Sequence, residues 1–251
     1  MKETKRVGLL DEIRGFAIIC MVVYHVLFSL QNFYGVNIPV FFDDWFGLIR
    51  NIFAGAFIFI SGCVCRFSRN NLKRGAQCFF LGMLITFVVA FAQPNFPIHF
   101  GILHFLGISM LLYALMEPFF SNIPPLAGII VFGFLFFALY NLPYNGYIGF
   151  QGIFSVDMPN DLYDVGVLFP LGFTNPRIRY ADYFPLIPWF CVFAAGAFFG
   201  VYAKAGRLPR YFYKTRVGFL AAAGRHTIWI YLLHQPISIA VLNLIFKERI
   251  T

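Results

Sequence analysis

Residues 13–33, IRGFAIICMVVYHVLFSLQNF, enter on a single cation, Arg14, and then run to residue 43 without another Asp, Glu, Lys or Arg. At a helical rise of about 1.5 Å per residue, such a stretch is long enough to cross a hydrocarbon core of about 30 Å. Six more apolar stretches follow, near 45–65, 76–93, 100–120, 125–141, 184–203 and 226–246. Across the 251 residues, 60% are hydrophobic and 12% charged, against about 25% charged in a soluble domain. A water-soluble globule, a disordered chain and a coiled coil are excluded on those figures. The expected fold is an all-α, multi-pass transmembrane bundle of about seven spans. Its mostly short connections leave no room for a separate soluble domain, so residues 1–251 read as one integral-membrane domain. The basic N-terminus ahead of the first span lacks a small-residue cleavage pattern, and the span is expected to remain attached.

The formal charge of +8 does not mark a nucleic-acid binder. The basic residues sit at the ends of apolar stretches rather than along one polar face. With the N-terminus in the cytoplasm, only Arg50, Arg177, Arg179, Lys247 and Arg249 of the 19 Lys and Arg fall outside, so charge asymmetry predicts N-in and C-out. The inside connections 66–75 and 204–225 are then basic. Within the second, Arg210 to Arg216 is expected to lie on the membrane surface. The long connection, 142–183, falls outside and has the length of a lid or binding loop. Cys20, Cys63, Cys65, Cys78 and Cys191 all lie in apolar stretches without a C-x-x-C pair and read as buried small side chains. The glycines of Gly196-Ala-Phe-Phe-Gly200 have the spacing of a helix-packing motif.

An ionisable group inside a span is costly and marks a functional candidate. His25 lies eleven residues beyond Arg14, about 16 Å along a helix. His234, nine residues beyond Arg225, lies about 13 Å into the last span, at a similar depth. His104 enters from the fourth span. One buried His is ordinarily a packing residue, but three from three spans at compatible depths suggest a shared cavity. The absence of H-x-x-x-H, H-x-x-E or a nearby Cys partner argues against a metal. An imidazole suits acyl transfer better, as a base toward the attacking hydroxyl or amine or as an acyl acceptor. Arg66, Arg69, Lys73 and Arg74 place four cations in nine residues, a density that suits the phosphates of a donor such as coenzyme A. Topology alone would also make that loop basic. Arg14 has two readings, a phosphate ligand or a partner for Asp11 three residues earlier.

Asp11-Glu-Ile-Arg14-Gly with His25 after ten intervening residues, Phe57-Ile-Phe-Ile-Ser61-Gly62, Phe100-Gly-Ile-Leu-His104-Phe-Leu-Gly107 and Gly224-Arg-His-Thr-Ile-Trp-Ile-Tyr231-Leu-Leu-His234-Gln-Pro236 together resemble the integral-membrane acyltransferases. The R-x10-H spacing is similar to that of acyltransferase family 3. The segment around His104 and the small size look like the small bacterial relatives of heparan-α-glucosaminide N-acetyltransferase. The resemblance implies an acyltransferase of the cell membrane that moves an acetyl group from cytoplasmic acetyl-CoA to a sugar hydroxyl or amine of an outside glycan or glycolipid. His25, His234 and His104 would line its site, and Arg14, Arg66, Arg69, Lys73 and Arg74 would hold the donor. Where the lysosomal relative carries a catalytic His before its second span, this chain has Phe42-Asp43-Asp44. Asp43 or Asp44 would there orient an acceptor or a histidine. The expected partners are acyl-CoA, a sugar acceptor and membrane lipid, with a homodimer allowed and no nucleic acid or metal. The competing readings are a proton-coupled transporter of small molecules, whose buried histidines relay protons, and a non-catalytic membrane protein.

Overall fold

The opening apolar stretch forms one helix, α1, over Gly8–Phe33, in a computed structural model that describes residues 6–93, 97–174 and 182–246. Six further long helices follow it: α2 (Asp44–Cys65), α3 (Asn71–Ala92), α4 (Ile102–Phe120), α5 (Pro125–Leu139), α8 (Leu186–Lys204) and α10 (Thr227–Ile245). A one-turn helix, α6 (Leu142–Asn145), extends α5, so that seven helical stretches are long and apolar enough to cross a membrane. Their bounds fall within about five residues of the apolar stretches, since hydrophobic length is what a bilayer selects. Lys2, Lys5, Arg177, Arg179, Lys247 and Arg249, used in the charge count, lie outside the described residues.

The chain divides into two units, one made of Met1–Ile60 with Gly206–Thr251, the other of Ser61–Ala205. In the first, α1 packs against α10 and against a short helix, α9 (Gly218–Arg225). The crossing of α1 and α9 is set by two glycines. A Cβ on Gly15 would collide with the Leu220 carbonyl, and one on Gly224 with the Asp11 carbonyl. Charged side chains at the start of α1 finish this joint. Glu12, buried, accepts hydrogen bonds from the backbone amides of Arg216 and Val217, the latter at 2.8 Å, just ahead of α9. Those amides open a helix and would otherwise lack acceptors. Asp11 accepts from Arg6 Nε at 2.6 Å and from Arg14 Nη2 at 2.8 Å. Residues 8–12 are therefore helical although Asp11 and Glu12 are charged. Within 204–225, Arg210–Tyr213 form a turn of 3-10 helix with Tyr211 exposed, while Gly218–Arg225 are packed on α1.

In the second unit α3 and α4 form a close hairpin and α5 packs along α8. A Cβ on Gly107 would come within 2.7 Å of the Phe79 amide nitrogen. The packing expected of Gly200 is observed, since a Cβ there would sit 2.6 Å from the Cys63 carbonyl at the end of α2. Cys63, Cys65, Cys78 and Cys191 are buried as free thiols, and Cys20 is half-buried. The long connection contains a two-stranded antiparallel hairpin, β1 (Tyr147–Phe150) and β2 (Phe154–Asp157), then a short helix, α7 (Asp161–Asp164), and a 3-10 turn over Gly166–Leu171. Tyr163, whose hydroxyl donates to the Leu142 carbonyl at 2.6 Å, ties α7 back to α6. Burial raises the pKa of that phenol.

Candidate active site

The packing of α1 against α10 brings two imidazoles together from positions 209 residues apart. The His25 and His234 rings have centroids 5.0 Å apart and planes inclined at 52°. Nδ1 of His234 lies 2.6 Å from the Tyr231 carbonyl oxygen, one helical turn earlier. A carbonyl only accepts, so Nδ1 carries a proton, and in the neutral imidazole Nε2 keeps its lone pair. That Nε2 is buried and has no partner. Gln235, the next residue, sets its Nε2 3.5 Å from Nδ1 of His25, and its own Oε1 is buried without a partner. Two unsatisfied acceptors beside paired imidazoles are costly to bury. Pro236 follows immediately and has no N–H to give to the carbonyl four residues back. The last span thus carries its least satisfied polar groups at the point where it meets His25.

An aromatic wall flanks His25. Tyr24 stands edge-on to its ring at 5.5 Å and stacks on Phe41 at 5.2 Å. The Tyr24 hydroxyl accepts from Arg50 Nη1 at 3.3 Å, and the guanidinium lies 5.7 Å from the centre of the same ring. Ser29 donates to the His25 carbonyl at 2.9 Å, one turn on. Asp43 and Asp44 are exposed at the start of α2, where Asp43 accepts from Trp45 Nε1 at 2.9 Å. Arg14 donates to the Gly224 carbonyl at 2.6 Å and to Asp11 at 2.8 Å. Tyr24, Gln235 and the Tyr231 carbonyl carried no role in the sequence reading. Adjacency to each histidine was the available signal for the first two, and the intrahelical offset of three for the third.

His104 belongs to the second unit and is packed among aromatic rings there. It is buried, stacked on Phe100 at 5.9 Å and edge-on to Phe79 at 5.7 Å. Thr86 donates its hydroxyl to the Ile98 carbonyl at 2.5 Å and so presents an acceptor to His104 Nε2 at 3.4 Å. Gly82 leaves room for the ring, since a Cβ there would be 2.9 Å from Nδ1. The basic turn between α2 and α3 divides in two. Arg66 is 12% exposed, donates to the Ala197 carbonyl at 3.1 Å and lies 5.4 Å over the Tyr113 ring, with Glu117 at 3.9 Å. Arg69, Lys73 and Arg74 are exposed. Glu117 and Tyr113, one turn apart on α4, escaped the sequence reading because a single carboxylate at a span end looks like an interfacial charge. Among the described residues no three His, Cys, Asp or Glu side chains converge on a metal position.

The profile of the family described as heparan-alpha-glucosaminide N-acetyltransferase, catalytic, matches residues 6–236. No curated protein matches the chain, and no solved structure does.

Proposed function

The chain belongs to the heparan-alpha-glucosaminide N-acetyltransferase catalytic family and is a multi-pass membrane acetyltransferase; on that premise we propose that His25 and His234 move the acceptor's proton during acetyl transfer from acetyl-CoA. The observation that carries this reading is the buried, unpartnered Nε2 of His234 beside the His25 ring. The acceptor is a sugar hydroxyl or amine. Its oxygen or nitrogen attacks the thioester carbonyl carbon while an imidazole nitrogen of the pair takes its proton. The carbon–sulfur bond then breaks, and the same proton passes to the departing thiolate of CoA. Gln235 orients His25, and the Tyr231 carbonyl holds His234 in the tautomer whose Nε2 is basic. In the direct form no group of the protein is acylated. In the alternative form an imidazole nitrogen of His25 attacks the thioester carbon, the carbon–sulfur bond breaks with CoA leaving as the thiol, and the acceptor then displaces the imidazole from the acetyl group. The N-terminal side of α1 faces the cytoplasm in this proposal, following the charge asymmetry.

The exposed cations Arg69, Lys73 and Arg74 are a separate part of the proposal, as ligands of the donor's phosphates. An exposed guanidinium or ammonium can turn to a phosphate without giving up an existing bond. Arg66 donates only its Nε to the Ala197 carbonyl and belongs to the same proposal through its terminal N–H groups. Thermal unfolding of the detergent-purified protein tests donor binding, since a ligand selective for the folded state stabilises by about 2.7 kcal/mol at a hundred times its Kd. Acetyl-CoA and CoA are expected to raise the midpoint, and acetate to leave it unchanged. No shift at millimolar acetyl-CoA would remove the donor assignment. Arg69→Ala, Lys73→Ala and Arg74→Ala are expected to need more donor for the same shift, with unchanged midpoints in its absence. Arg66→Ala is expected to lower the midpoint without donor, by removing its hydrogen bond to the Ala197 carbonyl and its packing over the Tyr113 ring. Unchanged donor dependence in all three exposed variants would take the basic turn out of the proposal.

A further inference from the structure

The hairpin in the long connection has one apolar face, and that face continues the lipid-facing side of α5. Register pairs Ile148 with Val156 and Phe150 with Phe154, so these four side chains share one face of the ribbon, while Tyr147, Ser155 and Asp157 take the other. The apolar residues of β2 are open: Phe154 is 52% exposed, Val156 55%, and Ile153 at the turn 84%. The turn itself is tight. Ile153 N–H donates to the Phe150 carbonyl at 3.0 Å across Gly152, which has φ +87°.

The direction of the ribbon decides what this face meets. The helical span of α5 and α6 ends at Asn145, and β1 begins two residues later, at Tyr147. β1 packs against α5, and its last residue, Phe150, meets Phe134 with ring centroids 5.7 Å apart. Phe134 precedes Asn145 by eleven residues, about 16 Å along a helix. The four residues of β1 reach back about 13 Å at strand rise. The hairpin therefore folds down the flank of a membrane-crossing helix, with its turn as the deepest point. Phe134 is one of a set of exposed residues on α5 with Ile130, Val131 and Phe137, the side of a spanning helix that lipid covers.

We infer that the β1–β2 hairpin is a lipid-inserting element, with Ile153, Phe154 and Val156 among acyl chains just below the headgroups of the leaflet at the C-terminal end of α5. Two opposing costs set that depth. Leaving large apolar side chains in water forfeits about 25 cal/mol per Å² of apolar area. Sinking the ribbon further would strand the amides on its unpaired edges in hydrocarbon. An apolar tip with Asp157 and Tyr147 at the base satisfies both. The inference rests on α5 crossing the bilayer and not on the chemistry proposed for His25 and His234. Its consequence for the enzyme is that the long connection is tied to the lipid surface rather than free above it.

The test places an environment-sensitive bimane probe on Ile153→Cys and, separately, on Asp157→Cys in the full chain. Both variants are reconstituted in phosphatidylcholine nanodiscs, with the identically treated parent chain as background for its native thiols. The probe at 153 is expected to emit at shorter wavelength, to be quenched by lipid carrying a nitroxide at acyl carbon 5 and to be shielded from aqueous iodide. The probe at 157 is expected to show the reverse. Iodide quenching at 153 equal to that at 157, with no quenching by the labelled lipid, would put the hairpin in water and overturn the inference. Shielding from iodide without lipid quenching would assign the face to a second copy of the chain and overturn it equally. Activity enters neither reading, so failure here is distinct from failure of the proposed catalytic pair.

Discussion

His25→Ala leaves acetyl-CoA stabilisation of the protein close to that of the parent chain and lowers acetyl transfer by about a hundredfold to ten-thousandfold, the range that a positioned acid–base group supplies. The split follows from the separate roles proposed. His25 meets His234 and Gln235 inside the first unit, while the exposed cations assigned to the donor stand on the turn between α2 and α3. Release of CoA thiol in the presence of sugar acceptors measures transfer, and the thermal midpoint with donor measures binding. His234→Ala should fall in the same range, and the double variant should lose little more than either single one, because two groups that handle one proton act as a unit. Gln235→Ala, which removes only an orienting contact at 3.5 Å, should cost less than either. Transfer at the parent rate by His25→Ala would end its assignment. Full additivity in the double variant would mean that the histidines act separately.

Gly15→Val is expected to lower the thermal midpoint more than any other single change considered, and Gly224→Val by a similar amount. Each Cβ would enter a backbone carbonyl of the facing helix, Leu220 in one case and Asp11 in the other. A backbone carbonyl cannot rotate away as a side-chain end can. Overpacking of a side-chain core costs about 1–3 kcal/mol and occasionally more; here α1 and α9 must also separate. Separation would draw Glu12 from the amides it caps and Arg14 from the Gly224 carbonyl, each a buried group that pays for losing its partner. At about 2–4 °C per kcal/mol for a chain of this size, the shift is well within measurement. Gly133→Val is the control, since a Cβ at that position of α5 meets nothing within 4 Å. Equal shifts in the Gly15 and Gly133 variants would show that the crossing tolerates a wider spacing.

Most of the span architecture is legible in the sequence. The stretch expected at 45–65 is α2 at Asp44–Cys65, and that expected at 226–246 is α10 at Thr227–Ile245. Where the bounds moved, polar contacts moved them. α1 begins at Gly8 rather than near 13 because Asp11 and Glu12 find donors within the protein. α3 begins at Asn71 rather than near 76 because Asn70 caps it through the Lys73 amide at 2.8 Å, so the helix outlasts its apolar stretch. Hydropathy measures the cost of meeting lipid and is blind to such partners.

The site was legible in its members and not in its grouping. A histidine in an apolar span announces itself by residue type alone, and His25, His104 and His234 look alike on that basis. Sequence by itself determined that this is a multi-pass membrane protein, since composition and apolar length suffice for that, and motif order sufficed for its acyltransferase family. Tertiary structure alone decided that His234 faces His25 with a free Nε2 while His104 lies beside the Thr86 hydroxyl. It also decided that Arg14 and Arg66 are held by backbone carbonyls while Arg69, Lys73 and Arg74 are exposed. The physical reason is range. Apolar burial is set residue by residue along the chain, whereas a hydrogen bond needs its partner within about 3.5 Å, and which partner comes that close depends on how helices distant in sequence pack.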